Sequence, residues 1–568
     1  EDRSVDGASG LWRVAVLVVL GVLRSVAPEA QTRTVEILNA DRVVVENDSA
    51  TGTVRRMTGN VRVRSDTTTL SARSAVEYVV RRELVLTGAV RIISGDDTLT
   101  ANRVTYDSAT KLAVATGDVR IGGEGGVLYA PEATYTSRDK RATFTGGGRL
   151  LQDGAELTAP SGVYDTERRF AEVDGPLAIR DSASTITGAR GTYDARSRRA
   201  DVVGDVVLLR ERDRLDADSL VYFRRTERGR AFGRVVLDRL GGEAPEDSLR
   251  RGLLFGTALI YDGQAETAEM TAGDGRALLV TLDRDSTGAT DTTLVQAAML
   301  VASRQRLDST QVEILTASGG ARLWRDGLGS VADSSVFVRR VSDDSTQATR
   351  DRLDLFGGYS TVSRPTVWLD GSQLAGDSLW IVTDALRDSV FARGRAFAGQ
   401  LDSTLGRVQQ LAGERMLGIV RDEKLRRLHV WPAAEAVYYQ ATADGLLDGV
   451  VRVGADSLVF RFDASGEVRE AGVFGNVEGT QYGPSIVPAS LNLPGFAFSP
   501  RSRPTKDDLL TEPEAEWLRQ RPEWGAGASG ESDSDEAESG DEASQAAASG
   551  DDSTDAAPED DPLAPEAE

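Results

Sequence analysis

Apolar and polar residues alternate along most of this chain, and the alternation is organised around glycines. Two and four residues after successive glycines the chain is mostly apolar: Val61 and Val63, Val90 and Ile92, Val119 and Ile121, Leu150, Leu177 and Ile179, Val206 and Leu208, Val235 and Leu237. Two and four residues before the glycines it is often apolar again, as at Leu84/Leu86, Ala113/Ala115, Ala171/Val173 and Ala200/Val202. The positions between carry Asn60, Arg62, Arg91, Asp118, Arg120, Arg149 and Asp205. Successive side chains of a strand point to opposite faces, so this pattern predicts strands with one dry and one wet face. The glycine falls on the dry parity in mid-strand, where Gly marks a bend, a bulge or a close backbone approach.

The glycines keep a period. Gly59, Gly88, Gly117, Gly146, Gly175, Gly204 and Gly233 are spaced 29 residues apart. Leu70, Leu99, Leu128, Leu157, Ile186 and Leu215 hold the same step, as do Tyr106, Tyr135, Tyr164, Tyr193 and Tyr222. Three markers in one register define a repeat array. Polar runs such as DSATK, TSRDK, DTERR and DARSR follow the tyrosines and read as turns. Each unit is thus a strand, a turn, and a long strand creased at its glycine. Past residue 240 the spacing lengthens: Gly319, Gly357 and Gly394 are 38 and 37 apart, and Gly475 repeats the alternation. A strand opener, Ala217-Asp218-Ser219-Leu220, recurs at Ala332, Gly376 and Ala455.

Composition narrows the chemistry. The 568 residues include no Cys and one histidine, His429, which excludes disulfide scaffolds, thiol nucleophiles, multi-His metal sites and the usual zinc frameworks. A net charge of −23 argues against nucleic acid as a partner. Candidate acids such as Asp118, Asp205 and Glu172 do not stack in one column across neighbouring units, and His429 in LRRLHVW reads as a strand residue. No metal or cofactor is expected.

The two ends differ from the body. Residues 15–23, AVLVVLGVL, follow Arg13 and precede Ser25-Val26-Ala27, the pattern of a secretory signal peptide over 1–30. Residues 31–240 hold the strict repeats and 241–480 a diverged continuation. An extended Pro-rich closing segment follows at 481–524. Residues 525–568 carry 15 Asp and Glu with no Lys or Arg, which predicts a disordered acidic tail. The first strand, Val35–Leu38, has little edge protection, whereas Pro484, Pro488, Pro494, Pro500 and Pro504 remove donors and suggest a cap at the other end.

The repeated pattern LTA…YD…(polar turn)…A.A.GDVRI resembles the OstA/LptA family of lipopolysaccharide-transport proteins, best over Leu38–Leu237. Ile37–Arg42 is similar to that family's opening strand, and the later units with Leu411-Ala412-Gly413 are similar to its longer Bacteroidota-type members. The resemblance implies an all-β fold, an elongated β-jellyroll or β-taco of antiparallel creased strands. It implies a non-enzymatic carrier in the periplasm, associated with the outer membrane. Lipid A acyl chains of lipopolysaccharide would lie in its apolar trough, and other transport components would dock by strand addition, with self-association as a further outcome. The trough would be lined by Val61, Val63, Val90, Ile92, Val119, Ile121, Leu150, Leu177, Ile179, Val206, Leu208, Val235 and Leu237. The competing reading of the dry face is a closed core. A parallel β-helix acting on carbohydrate and a surface repeat protein are the competing classes.

Overall fold

The computed structural model describes residues 35–520 apart from 49–51, 124, 211–212, 241–249, 274, 285–289, 308–309, 343–349, 359–363, 370, 385–386, 422–423, 465–467 and 489–490. The expected signal peptide and acidic tail lie outside the described residues. Two units divide the chain, residues 1–517 and 518–568, and only residues 518–520 of the second are described.

Strand makes up 74% of the structure and helix 4%, which fixes the class as all-β. The strands form one 36-stranded sheet in which each long strand pairs with the next. The pairings are antiparallel from Thr68–Tyr78 on Glu83–Ser94 through to Ser457–Phe462 on Val468–Phe474, so the parallel β-helix is excluded.

Strand Glu83–Ser94 shows how the crease is made. Its registers with Thr68–Tyr78 and with Asp97–Asp107 both slip by one residue between Thr87 and Val90. The extra residue lies at Gly88-Ala89, where φ is +82° and +48°. Two successive left-handed residues make the tight turn of a hairpin; set in mid-strand they form a bulge that folds the strand. A Cβ on Gly88 would stand 3.0–3.2 Å from the Arg73 side chain, so space as well as φ demands glycine. Left-handed glycines recur at Gly59, Gly117, Gly146, Gly204, Gly233, Gly319, Gly394 and Gly475. Gly357 keeps the spacing but not the conformation, because its rung is split into Arg350–Phe356 and Thr366–Leu369. Strands without the glycine turn the same corner by skipping a step. Asp97–Asp107 buries Leu99 and Ala101, then Val104 and Tyr106, across the exposed Asn102 and Arg103.

The supposed strand opener has another role. Asp218 and Asp333 lie inside strands, whereas Asp377 and Asp456 lie between them, and all four sit at the crease. Asp218 accepts the Arg234 N–H (3.1 Å), Asp377 takes the Arg395 guanidinium (2.6 Å), and Asp456 accepts from Asn476 Nδ2 (3.0 Å). Each of these three carboxylates thus holds the residue that follows a crease glycine.

Folding at the crease brings the two ends of each glycine strand together. One end is a column of four-residue turns stitched to one another: the N–H groups of Ser108, Ser137, Thr166, Ala195 and Arg224 donate to the carbonyls of Arg82, Lys111, Lys140, Arg169 and Arg198 at 2.9–3.2 Å. The other end consists of separate tight hairpins such as Asp66-Thr67, Gly95-Asp96 and Asp153-Gly154.

The Pro-rich segment is neither extended throughout nor a cap on the last strand. Its residues run back along the outer face of the diverged half. Leu493 N–H donates to Gln410 Oε1 (3.0 Å), Ser499 N–H to Gln373 Oε1 (2.7 Å), and Gln296 Nε2 to the Leu509 carbonyl (3.3 Å). Phe496 stacks edge-on against Phe397 and Trp517 against Phe255, at 5.5 and 5.6 Å. It includes a short helix, Lys506–Leu509, closed by a Thr505/Asp508 capping box, and a second helix, Glu512–Arg519. The cause is apolar surface: Leu278, Val280, Trp368 and Phe397 sit on the outer face and are buried. Among the described residues the last strands, Val468–Phe474 and Glu478–Tyr482, pair on one side only.

Candidate functional site

The thirteen residues expected to line the interior all lie on the buried face, none more than 5% exposed. Register aligns many of them in one file. Val63 sits opposite Leu70, Leu70 opposite Ile92, Ile92 opposite Leu99, and Leu99 opposite Ile121. The file continues through Leu128, Leu150, Leu157, Ile179, Ile186, Leu208 and Leu215 to Leu237 and Leu254. The leucine marker of the sequence repeat therefore supplies every second member. Aliphatic side chains at adjacent rungs, about 4.8 Å apart, make a continuous apolar surface with no polar interruption. In this structure the two arms close on each other and the surface is a packed core running from Met57 to Ala321. A second core cluster, from Ala332 to Leu458, serves the diverged half.

Away from the crease the interior changes character. The periodic tyrosines Tyr106, Tyr135, Tyr164, Tyr193 and Tyr222 are buried near the strand ends. Beyond them lies a polar seam containing Ser65, Thr68, Ser94, Asp97, Ser108 and Lys111, all buried. Here the turns of one arm meet the hairpins of the other. Lys111 Nζ reaches Asp66 (3.1 Å) and Ser65 Oγ (3.3 Å). Asp97 accepts from Lys140 Nζ (3.1 Å), the Tyr135 hydroxyl (2.6 Å) and the Thr166 hydroxyl (2.9 Å). Arg224 donates to Asp181 (2.6 Å) and to the Tyr193 hydroxyl (2.7 Å), and Arg210 to Glu227 (2.8 Å). Burial pushes the Tyr164 and Tyr222 hydroxyls up to about 12, and burial with the Asp97 contact raises Tyr135 further. Burial alone would raise the Asp181 carboxyl. The Ala183 and Ser184 N–H groups and the Arg224 guanidinium outweigh it and hold that pKa down.

Sequence reasoning missed this seam. Its one legible sign is a fourth periodic column, Arg82, Lys111, Lys140, Arg169 and Arg198, each left-handed and closing a turn. Two of the chain's four lysines fall in it.

A groove of about 830 Å³ opens where the rungs are interrupted at Gly146-Gly147 and Pro160-Ser161; Leu177 is among its lining residues. The candidate acids do not converge. Asp205 and Glu172 are exposed, and Asp118 accepts from Asn102 Nδ2 (3.0 Å). His429 bonds Ser457 Oγ (2.9 Å) and stacks on Trp431. Among the described residues no acidic or imidazole cluster could hold a metal, and no helix is long and apolar enough to cross a membrane.

Fold and interior together define a creased antiparallel β stack around a continuous aliphatic file. Residues 32–189 match the family model described as OstA-like protein, which ties this region to a family related to lipopolysaccharide and lipid transport and binding. The match falls within the strictly periodic half. A search of curated proteins gives no match.

Proposed function

We propose that the protein is a periplasmic lipid carrier that shields the acyl chains of lipopolysaccharide between its arms on the way to the outer membrane. The observation that carries this reading is the unbroken aliphatic file from Val63 to Leu254, lying within and beyond the OstA-like match. Acyl chains need a dry surface and no directional chemistry, and burial contributes about 0.8 kcal/mol per CH₂. The thirteen residues from Val61 to Leu237 would make that contact once the arms part. The first strand, Val35–Asn39, pairs with residues 62–65 alone among the described strands, which leaves an edge for a transport partner or a second copy by strand addition.

Photo-crosslinking in living cells tests the reading. A photo-reactive residue at Val119 or Leu208 should give lipid adducts, whereas one at the exposed Asp118 or Arg120 should not. Equal labelling of both parities, or adducts with protein only, would reject it.

A further inference from the structure

The interior has two boundaries. At the crease the backbone itself is continuous; at the seam the two lips are joined only by contacts across the gap, among them those of Asp66, Asp97, Asp181 and Arg210. The column of turns is stitched internally by backbone hydrogen bonds, so that lip is a rail. The opposite lip is a row of two-residue hairpins, joined to one another by the strand ladders beneath them and to the rail by contacts across the gap.

Three turn-closing residues, Lys111, Lys140 and Glu227, each meet an opposite charge across the gap. Turn residues Lys111 and Lys140 face Asp66 and Asp97. At the next sign change the turn residue becomes Glu227, and its partner across the gap becomes Arg210. A row of cations meant for an anionic headgroup would have no reason to switch sign together with its opposite number. A row meant to hold two lips together would. In these three units the sign varies and the attraction is kept.

We propose that the polar seam is the slit through which acyl chains reach the interior, and that the cross-lip ion pairs are the clasp that holds it shut in the empty protein. This rests on the lipid-carrier reading. Such pairs suit a clasp because the more exposed of them weaken once salt and water reach them, and a row of them along a rail acts together. The Tyr106 hydroxyl and the Gln152 amide are buried in the seam without hydrogen-bond partners among the described residues, which further lowers the cost of parting the lips.

The chain has no cysteine, so introduced pairs are unique labels. Asp66→Cys/Lys111→Cys, bridged by a short bis-maleimide, should slow uptake of the apolar fluorophore N-phenyl-1-naphthylamine relative to the same variant capped with a mono-maleimide. Lys111→Asp alone should speed uptake by about tenfold, the equivalent of one partly buried pair, and Asp66→Lys/Lys111→Asp should restore the wild-type rate. Restoration by the swap cannot arise from misfolding. Bridged protein that loads as fast as capped protein, or a swap that fails to restore the rate, overturns the clasp and leaves the carrier standing. If the wild-type protein takes up no fluorophore, the carrier reading falls and the clasp with it.

Discussion

The two halves of the body solve the same burial problem differently. Between Gly52 and Phe223 each strand has one dry face, and closing the arms satisfies it; the outer face carries residues such as Arg62, Arg91 and Arg120. Between Arg250 and Tyr482 one arm is apolar on both faces. Val295 and Ala297 point into the core, while Leu278, Val280 and Phe397 point outward and are buried under the returning C-terminal segment. A strictly periodic stack needs nothing but its neighbours. A diverged one recruits a strap, and its stability then depends on residues far away in sequence.

Removing the strap should expose this difference most sharply. Deletion of residues 488–568 uncovers Phe255, Trp368 and Phe397 and leaves Gln296, Gln373 and Gln410 without their backbone partners. Each large apolar side chain returned to water costs about 1.5–3 kcal/mol. Hydrogen exchange should lose protection over 277–297 and 366–412 while 83–237 stays protected. Deletion of 525–568 alone should change neither. Uniform loss across both halves would mean that they fold as one cooperative unit.

Ion pairs give the next contrast. Arg224–Asp181 sits in the seam with side chains 8% and 12% exposed, and Arg224→Met should cost about 3–5 kcal/mol by stranding a buried carboxylate. Arg339–Asp351 of the diverged half is more exposed, and Arg339→Met should cost about 1 kcal/mol. Urea titration of the two variants reads the gap; equal losses would deny the seam its special burial. Crease glycines come third. Gly88→Ala forces a Cβ into a left-handed conformation against Arg73, worth about 1–2 kcal/mol. Gly357→Ala keeps an ordinary φ and meets the Pro365 ring at 3.1 Å and the Asp377 carbonyl at 3.5 Å, so it should cost less, about a few tenths.

The repeat was legible because its glycine, leucine and tyrosine each do one job in every unit. Gly88 folds the strand, Leu99 extends the aliphatic file, and Tyr106 fills the space below the lip. The seam was not, since one column reads Ser65, Ser94, Gly123, Gln152, Asp181 and Arg210, with no residue type kept along it. The Asp218 motif was found by spacing but misassigned, because its partner lies across the crease on the next strand. The strap was hidden for a different reason. Gln296 meets Leu509 across 213 residues, and no local pattern encodes such a contact. Its trace was the unbroken apolar runs at 278–280 and 367–369, where alternation should have put polar residues on an outer face.

Mild acid should move the two halves in opposite directions, though by less than any of these substitutions. In the diverged half burial, helped by Arg427, lowers the pKa of His429 below 6.5. The unfolded chain then binds the proton more readily than the folded one, so stability is full above 6.5 and is lost as pH falls toward the folded value. In the periodic half Glu77 occupies the place where later units carry tyrosine, and burial raises its pKa above 4.5 despite the Arg55 contact at 3.2 Å. The folded chain then holds the proton more readily, and stability is gained as pH falls through that raised value. Trp431, stacked on His429 at 4.2 Å, reports the first transition by its fluorescence. Between pH 7 and about 5.5 its urea midpoint should fall in the wild type and stay level in His429→Gln. Protection around Glu77, corrected for the intrinsic exchange rate, should rise toward pH 5 and lose that rise in Glu77→Gln. A His429→Gln protein that weakens in acid as much as the wild type would show that other groups govern the diverged half, and the opposition between the halves would fail.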